Sequence, residues 1–520
     1  MTLLPLLAPF GLFLVALHLT LRPVPRADAR LRWPEYAALG AVALGLISAI
    51  GFAFTGPATS PVLGVNGLGL SVRVDIVSLA MMLTVSFVGW VVLRFSRTAL
   101  DGEARQGPFM AGMATTLGCV LLLVTAGNLV QLVLAWVAVG VGLHRLLLFY
   151  PNRPRARRAA KKKAVSGIIG SSALLGAAGL LIWGFGTADI GEINAAARAG
   201  DLPPMLWLAG ILLAIAAIFK SALIPTHGWL TEVMEAPTPV SALLHAGVVN
   251  AGGFLLIRFA DVLLASPGVL ATLALIGGFS ALIGAAVALT QPAVKTALAW
   301  STCAQMGFMV LQCGLALFPL ALLHIVAHSL YKAHAFLAAG GAVEQVSSIR
   351  RPGPVAVPDL RAVAKAFGLA LVIYAGVGMA FGILDKPAQT VALGAILIFG
   401  VAYLIAQGLA DMAPWPLTWR VALMSGAATV GYFGLQTGAT GLSAGTLPPP
   451  PSPDGLIWMV IALAVSSFGL AAVAQATFPL WAGHPAMAGM RVHLMNGLYL
   501  NALTDRMTGH WRNTNTNVKG

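Results

Sequence analysis

Uncharged apolar runs, each about one membrane crossing long and separated by short polar links, recur along the whole 520-residue chain. At about 20 apolar residues per crossing, the pattern predicts roughly fifteen transmembrane helices. They fall near residues 2–21, 35–55, 74–93, 110–126, 128–149, 164–185, 205–224, 239–263, 268–289, 293–315, 317–339, 362–383, 390–410, 419–435 and 456–479. The seventh run is unlike the rest. Leu206 to Phe219 is uncharged and then meets Lys220, whose ammonium group costs about 2.5 to 3.5 kcal/mol deep in hydrocarbon. About one turn later stands Pro225, which has no backbone N–H and clashes with the preceding turn, so the helix breaks or kinks there. Pro237, Thr238 and Pro239 restart the chain, and His245 sits on the helix that follows. Irregular backbone at membrane depth survives where it is buried in protein or lines a water-filled cavity, and transporters place ion sites at such breaks. A lysine near a helix end can instead snorkel to the headgroups. Snorkelling has no need of the polar cluster Ser221, Thr226, His227 and His245.

Composition agrees with this reading and removes others. The chain is 58% hydrophobic and 9% charged, with mean hydropathy +0.87, which excludes the soluble classes. The net charge of +14 would suit a nucleic-acid partner, but the placement of the basic residues argues for topology instead. With the N-terminus outside, loops expected in the cytoplasm carry 24 Lys and Arg, eight of them between Arg145 and Lys163. The opposite loops carry only Arg73, Arg198, Arg258 and Lys386. This is the asymmetry of the positive-inside rule. The three left over, Lys220, Lys295 and Lys332, all lie within predicted spans. Cys119, Cys303 and Cys313 have no CxxC or Cys/His ligand spacing and read as small core residues, so no iron–sulfur or structural zinc site is expected. The first run lacks a basic n-region and a small-residue cleavage site and is expected to remain a membrane helix.

Other polar residues fall in the runs. Asp75 opens the third span, either as an interfacial acid at a helix N-terminus or as a functional group. His324, His328 and Lys332 recur every four residues in the eleventh span, which keeps them within about 80° on one helical face. A lone histidine on an apolar helix is usually a satisfied core residue; three titratable groups on one stripe point to a proton relay. His324 and His328 could ligate zinc, but no third ligand is evident. After the last run the segment MRVHLMNGLYLNALTDRMTGHW alternates apolar and polar positions and reads as an interfacial or partner-docking helix.

The stretch FKSALIPTHGWLTEVMEAPTPVSALLHAG resembles the signature of antiporter-like, proton-conducting membrane subunits, the family shared by respiratory complex I, Mrp-type cation/proton antiporters, membrane-bound hydrogenases and DabB-type subunits of inorganic-carbon accumulation complexes. QPAVKTALAWSTCAQMGFM and LHIVAHSLYKAHAFLAAGG resemble two further spans of that family. The resemblance implies an all-α bundle with two inverted five-helix repeats, each with a broken helix. Residues 1–109 would be flanking helices, 110–265 the first repeat, 266–410 a second and partly degenerate repeat, 411–479 C-terminal helices and 480–520 a cytoplasmic tail. The second repeat should carry its own broken helix and lysine; here YAGVGMAFGILDKPAQT offers only Asp385 and Lys386 at the span's end.

One departure is specific. In complex I and Mrp proteins a glutamate of the fifth span pairs with the lysine of the broken helix, and this chain has Val137 there. A buried lysine without that partner needs another acid nearby; Glu232 and Glu235 are the candidates, with Asp75 a more distant one. The replacement pattern LHRLLLFYPNRPRARRAAKKK is similar to the DabB-type variant. On that resemblance Lys220 is the switchable charge, His245 and Lys295 are relays, and His324, His328 and Lys332 form the onward path for protons or sodium. Histidine and lysine suit the task because their surroundings can shift their protonation across physiological pH.

The chain is then expected to be a transporter subunit and not an enzyme, without a cofactor of its own, in a bacterial inner membrane with the loop 151–163 and the tail in the cytoplasm. Its partner would be a DabA-type, zinc-containing, carbonic-anhydrase-like protein. Two readings stay open beside this: a subunit of a redox-driven complex or cation antiporter, against which Val137 and the short C-terminal region weigh, and a non-conducting scaffold that only anchors its partner.

Overall fold

In hydrocarbon a chain must satisfy its own N–H and C=O groups, and a helix does so within each run. The computed structural model describes residues 2–22, 28–65, 68–341, 360–408 and 415–507. A helix, whole or interrupted, overlies each of the fifteen apolar runs. In order they are α1 (Leu7–Leu21), α2 (Trp33–Thr55), α3 (Ile76–Ala99), α4 (Gln106–Val124), α5 (Leu129–Leu147), α6 (Pro154–Phe185), the short α7 (Ile190–Ala199), α8 (Leu206–Lys220), α9 (Gly228–Thr231), α10 (Thr238–Ala246), α11 (Ala251–Arg258), α12 (Ala260–Leu264), α13 (Pro267–Ala288), α14 (Val294–Gly314) and α15 (Phe318–Ala338). Leu360–Ala380, Ala388–Gly408, Trp415–Ser443 and Gly455–Ala476 follow. Among the described residues eleven helices are long and apolar enough to cross a membrane, and Leu206–Lys220 and Ala388–Gly400 are apolar but shorter.

Alternate connections gather at opposite ends of the bundle. At one end Val72 bridges Ala126, Asn128 bridges Asp189, and Arg198 pairs with Asp261 and donates to the carbonyls of Gly445 and Thr446. Asp75, Asn128 and Asp189 cap α3, α5 and α7 there, each accepting from a backbone N–H of the first turn. Two small antiparallel hairpins, Ala58–Thr59 with Arg73–Val74 and Leu63–Val65 with Leu68–Leu70, lie in the same region. At the other end Arg153 pairs with Glu235, Lys162 with Glu232 and Asp505, and Gln291 donates to the Met495 carbonyl. The tail segment Leu500–Met507 therefore docks on its own bundle, beside the basic start of α6.

The interior is built from small residues where helices cross. Gly277 of α13 and Gly307 of α14 face each other so closely that an added Cβ would stand 2.5 Å from the backbone nitrogen of Leu311 or Ala281. The pair α10–α11 runs through the centre almost wholly buried. It is interrupted at Gly247, where a short 3-10 turn, Val248–Asn250, separates the two helices; the apolar run had given no sign of this.

The two ends make the topology testable. The native cysteines are buried, so labelling background should be low. A cysteine at Arg157 should resist an impermeant thiol reagent in intact cells, and one at Asp201 should react; the opposite result would invert the orientation.

Candidate functional site

The site begins where α8 stops. Lys220 is its last residue, Ala222 takes a left-handed φ of 52°, and Pro225 lies in the irregular segment before α9. Carbonyls freed by the break find partners: Ile218 accepts from the Leu223 N–H and the Thr226 hydroxyl, both at 3.3 Å, and Phe219 accepts from Trp229 Nε1 and Ser166 Oγ, also at 3.3 Å. Ser221 Oγ donates to the Val249 carbonyl at 3.0 Å, which ties the break of α8 to the interruption after α10. Pro237 caps α10 and Pro239 stands in its first turn.

The Lys220 ammonium lies over the Trp136 ring, 4.4 Å from its centroid, a cation–π geometry. It faces a cavity of about 430 Å³ between α5, α6 and α8, and Val137 lines the same cavity. Among the described residues no carboxylate is in ion-pair range of Lys220. Glu232 pairs with Lys162 at 2.5 Å and Arg158 at 3.5 Å, and Glu235 pairs with Arg153 at 3.1 Å. Asp75 sits at the far end of the bundle, held by Arg258 at 2.6 Å and Arg73 at 2.7 Å. Burial would raise its pKa, but the Arg258 and Arg73 charges and the hydrogen bonds from Arg258 and the Ser78 amide outweigh this and hold the carboxyl well below the usual carboxylate range. The three candidate counter-charges are thus structural partners of arginines and of Lys162 on α6.

What shares the cavity with Lys220 is a second lysine. Lys163 is buried, and its ammonium donates to the Gly140 carbonyl on α5, one turn from Val137. The charge count had placed it in the cytoplasmic cluster. The signal was present: Ala156, Ala159, Ala160, Lys163, Gly170, Ala173, Leu174 and Ala177 form the buried stripe of α6 at helical spacing.

Beyond the break lies the second polar group. His245 Nδ1 is 3.1 Å from Thr302 Oγ1, and Thr302 in turn donates to the Leu298 carbonyl. That same carbonyl accepts from Lys332 Nζ at 3.1 Å, and Lys332 also donates to Ser301 Oγ. The His245 ring stacks on Phe336, centroids 4.3 Å apart. His328 is buried one turn before Lys332, and its ring centroid is 6.1 Å from that of His324, whose Nδ1 is 2.9 Å from Gln312 Oε1. Asn250 fills the interruption, donating to the Ala246 carbonyl and to Ser329 Oγ, each at 2.9 Å.

Lys295 stands apart from this line. It lies in the first turn of α14, half-buried, at the end where the tail docks, about one turn before Leu298. The helix begins at Val294, so Lys295 is its second residue. Lys386 lies in the connection between Leu360–Ala380 and Ala388–Gly408, after a left-handed Gly382. No lysine interrupts the preceding helix. Among the described residues no three His, Cys, Asp or Glu side chains are placed to hold a metal ion.

Residues 126–409 match the family described as NADH:quinone oxidoreductase/Mrp antiporter, transmembrane. The chain is 37% identical over 494 residues to the probable inorganic carbon transporter subunit DabB2 of Halothiobacillus neapolitanus, covering 92% of this chain and 88% of that one. It is 44% identical over 285 residues to the probable inorganic carbon transporter subunit DabB of Hydrogenovibrio crunogenus, covering 54% and 55% of the two chains. A chain in the structure of the Mrp complex from Dietzia sp. superposes with a TM-score of 0.58 at 25% identity, over 98% of this chain and 57% of that one.

Proposed function

The chain belongs to the NADH:quinone oxidoreductase/Mrp antiporter membrane family, and from that premise we propose that it is the proton-conducting subunit of an inorganic-carbon accumulation complex. The observation that carries the proposal is the run of nitrogen bases through the bundle centre. Lys220 stands at the break of α8, tied by Ser221 to the interruption after His245; His245 and Lys332 share the Leu298 carbonyl network; His328 and His324 continue along one face of α15. Bases in this order can pass a proton by small rotations and hydroxyl bridges. A sodium ion would need oxygen ligands instead.

The soluble chemistry belongs to a partner. The relatives named as DabB transporter subunits support a DabA-type partner; that partner is proposed to be carbonic-anhydrase-like with its own zinc, and the complex to sit in a bacterial inner membrane. Each proton that returns across ~100 mV releases about 2.3 kcal/mol, enough to support a roughly 50-fold concentration ratio per proton.

Uptake should therefore collapse with the gradient. In cells without their own carbonic anhydrases, an uncoupler should abolish bicarbonate accumulation while the complex still co-purifies intact. Accumulation that survives full loss of membrane potential and pH gradient would remove the coupling role.

A further inference from the structure

Among the described residues, the cavity between α5, α6 and α8 holds positive charge without an acid to answer it. Lys163 and Lys220 both line it, together with His144, Ser166, Ser171 and Ser172. The acids nearest it on that end are engaged elsewhere, Glu235 by Arg153, and Glu232 and Asp505 by Arg158 and Lys162. Two ammonium groups in a weakly polar space repel each other, and an anion between them would relieve both. Lys220 is partly exposed, and its accessible part faces the cavity.

The depth of the site narrows the anion. Lys220 ends a 15-residue helix that starts at the opposite end of the bundle. It stands about 22 Å along that axis, inside a hydrocarbon layer of about 30 Å and below the level of lipid phosphates. The lining offers donors, the two ammonium groups and the Ser171 and Ser172 hydroxyls. Bicarbonate presents two carboxylate oxygens that accept from them.

We propose that this cavity is a bicarbonate site, with Lys220 and Lys163 taking the anion's charge. The identity of the anion rests on the inorganic-carbon function proposed above. Bound bicarbonate stabilises the protonated form of Lys220, and by linkage the proton strengthens anion binding by the same factor. Occupancy and proton position then form one coupled equilibrium, at the place where relatives in complex I and Mrp complexes are expected to carry a fixed glutamate and this chain has Val137.

The test reads the lysine directly. The full chain with its co-purifying partner is placed in zwitterionic-lipid nanodiscs at fixed pH and ionic strength, treated with an amine-modifying reagent in sodium bicarbonate or sodium chloride, and analysed by mass spectrometry. Modification of Lys220 should slow about threefold at a bicarbonate concentration of twice Kd, since only the unoccupied third reacts, while the half-buried Lys295 in the first turn of α14 is unchanged. Formate, planar and unable to carbamylate an amine, should protect too, and Lys163→Met should remove the protection. Equal labelling in bicarbonate and chloride overturns the proposal, as does protection by bicarbonate but not formate, or protection that depends on added anionic lipid. The protein is probed at rest, so a negative result leaves the proton path standing, and loss of uptake in a Lys220 variant leaves the anion site standing.

Discussion

Lys220→Ala should reduce carbon-dependent growth in ambient air to the background of a strain lacking its own carbonic anhydrases, with little loss of assembled complex. Removing the ammonium relieves a burial cost of about 2.5 to 3.5 kcal/mol, and the break around it is held by backbone and hydroxyl bonds of Ile218, Phe219, Ser221 and Thr226 that alanine leaves in place. Lys220→Arg should fail as well. A guanidinium keeps its proton at any accessible pH, so it can hold a charge over Trp136 but cannot pass one on. The other roles predict different patterns: a purely structural or snorkelling lysine tolerates arginine, and a scaffold tolerates both changes while the partner binds. Growth at the unsubstituted level with Lys220→Arg, in a complex confirmed by co-purification, would end the proton-switch reading.

The largest stability effect is expected at the far end of the bundle. Asp75 is fully buried, accepts from Arg258, Arg73 and the Ser78 amide, and caps α3. Arg258→Met should cost about 3 to 5 kcal/mol, the usual penalty for breaking one side of a buried pair. Asp75→Asn should cost more than Arg258→Met, because it strands two guanidiniums at once. Thermal unfolding in detergent, followed by size-exclusion fluorescence, measures both. The double variant Asp75→Leu with Arg258→Met should recover part of the loss, since the damage comes from the unpaired charge. A midpoint for Asp75→Asn equal to that of the unsubstituted protein would contradict the network. The pH dependence follows from the same contacts: a carboxyl with a depressed folded pKa contributes stability above its unfolded value near ~3.9 and loses it only as pH falls toward the folded value. Its share should be intact through the physiological range.

How much of this was legible in the sequence depends on the length of the pattern involved. Apolar runs give helices at almost every expected place because hydrocarbon leaves the backbone no alternative. The break after Lys220 was readable from Pro225, whose effect is local. Lys163 was readable only from the helical phase and not from a charge total for the loop, since that phase turns one basic residue of Arg153–Lys163 inward with Ala156, Ala159 and Ala160 and leaves Arg153, Arg158 and Lys162 to pair with Glu235, Glu232 and Asp505. The interruption at Gly247 left no mark; nothing in LLHAGVVNAGG is incompatible with a continuous helix, and the contacts that meet it are tertiary, from Ser221 to the Val249 carbonyl and from Asn250 to Ser329. Counter-charges for Lys220 were sought among the nearest acids in the chain, but acids at a bundle end go to the arginines that crowd there.

Gly277 and Gly307 set a limit on how the molecule can work. Helices that touch backbone to backbone cannot slide or part without opening a void along their seam, so α13 and α14 act as one plank. That plank carries Ser301, Thr302 and the Leu298 carbonyl, the groups that receive Lys332 and His245. The proposed proton line therefore has a stator. Its moving parts must be the side chains that face it from α10 and α15 and the short irregular joints beside Lys220 and Gly247, a few ångströms of travel in place of a rocking bundle.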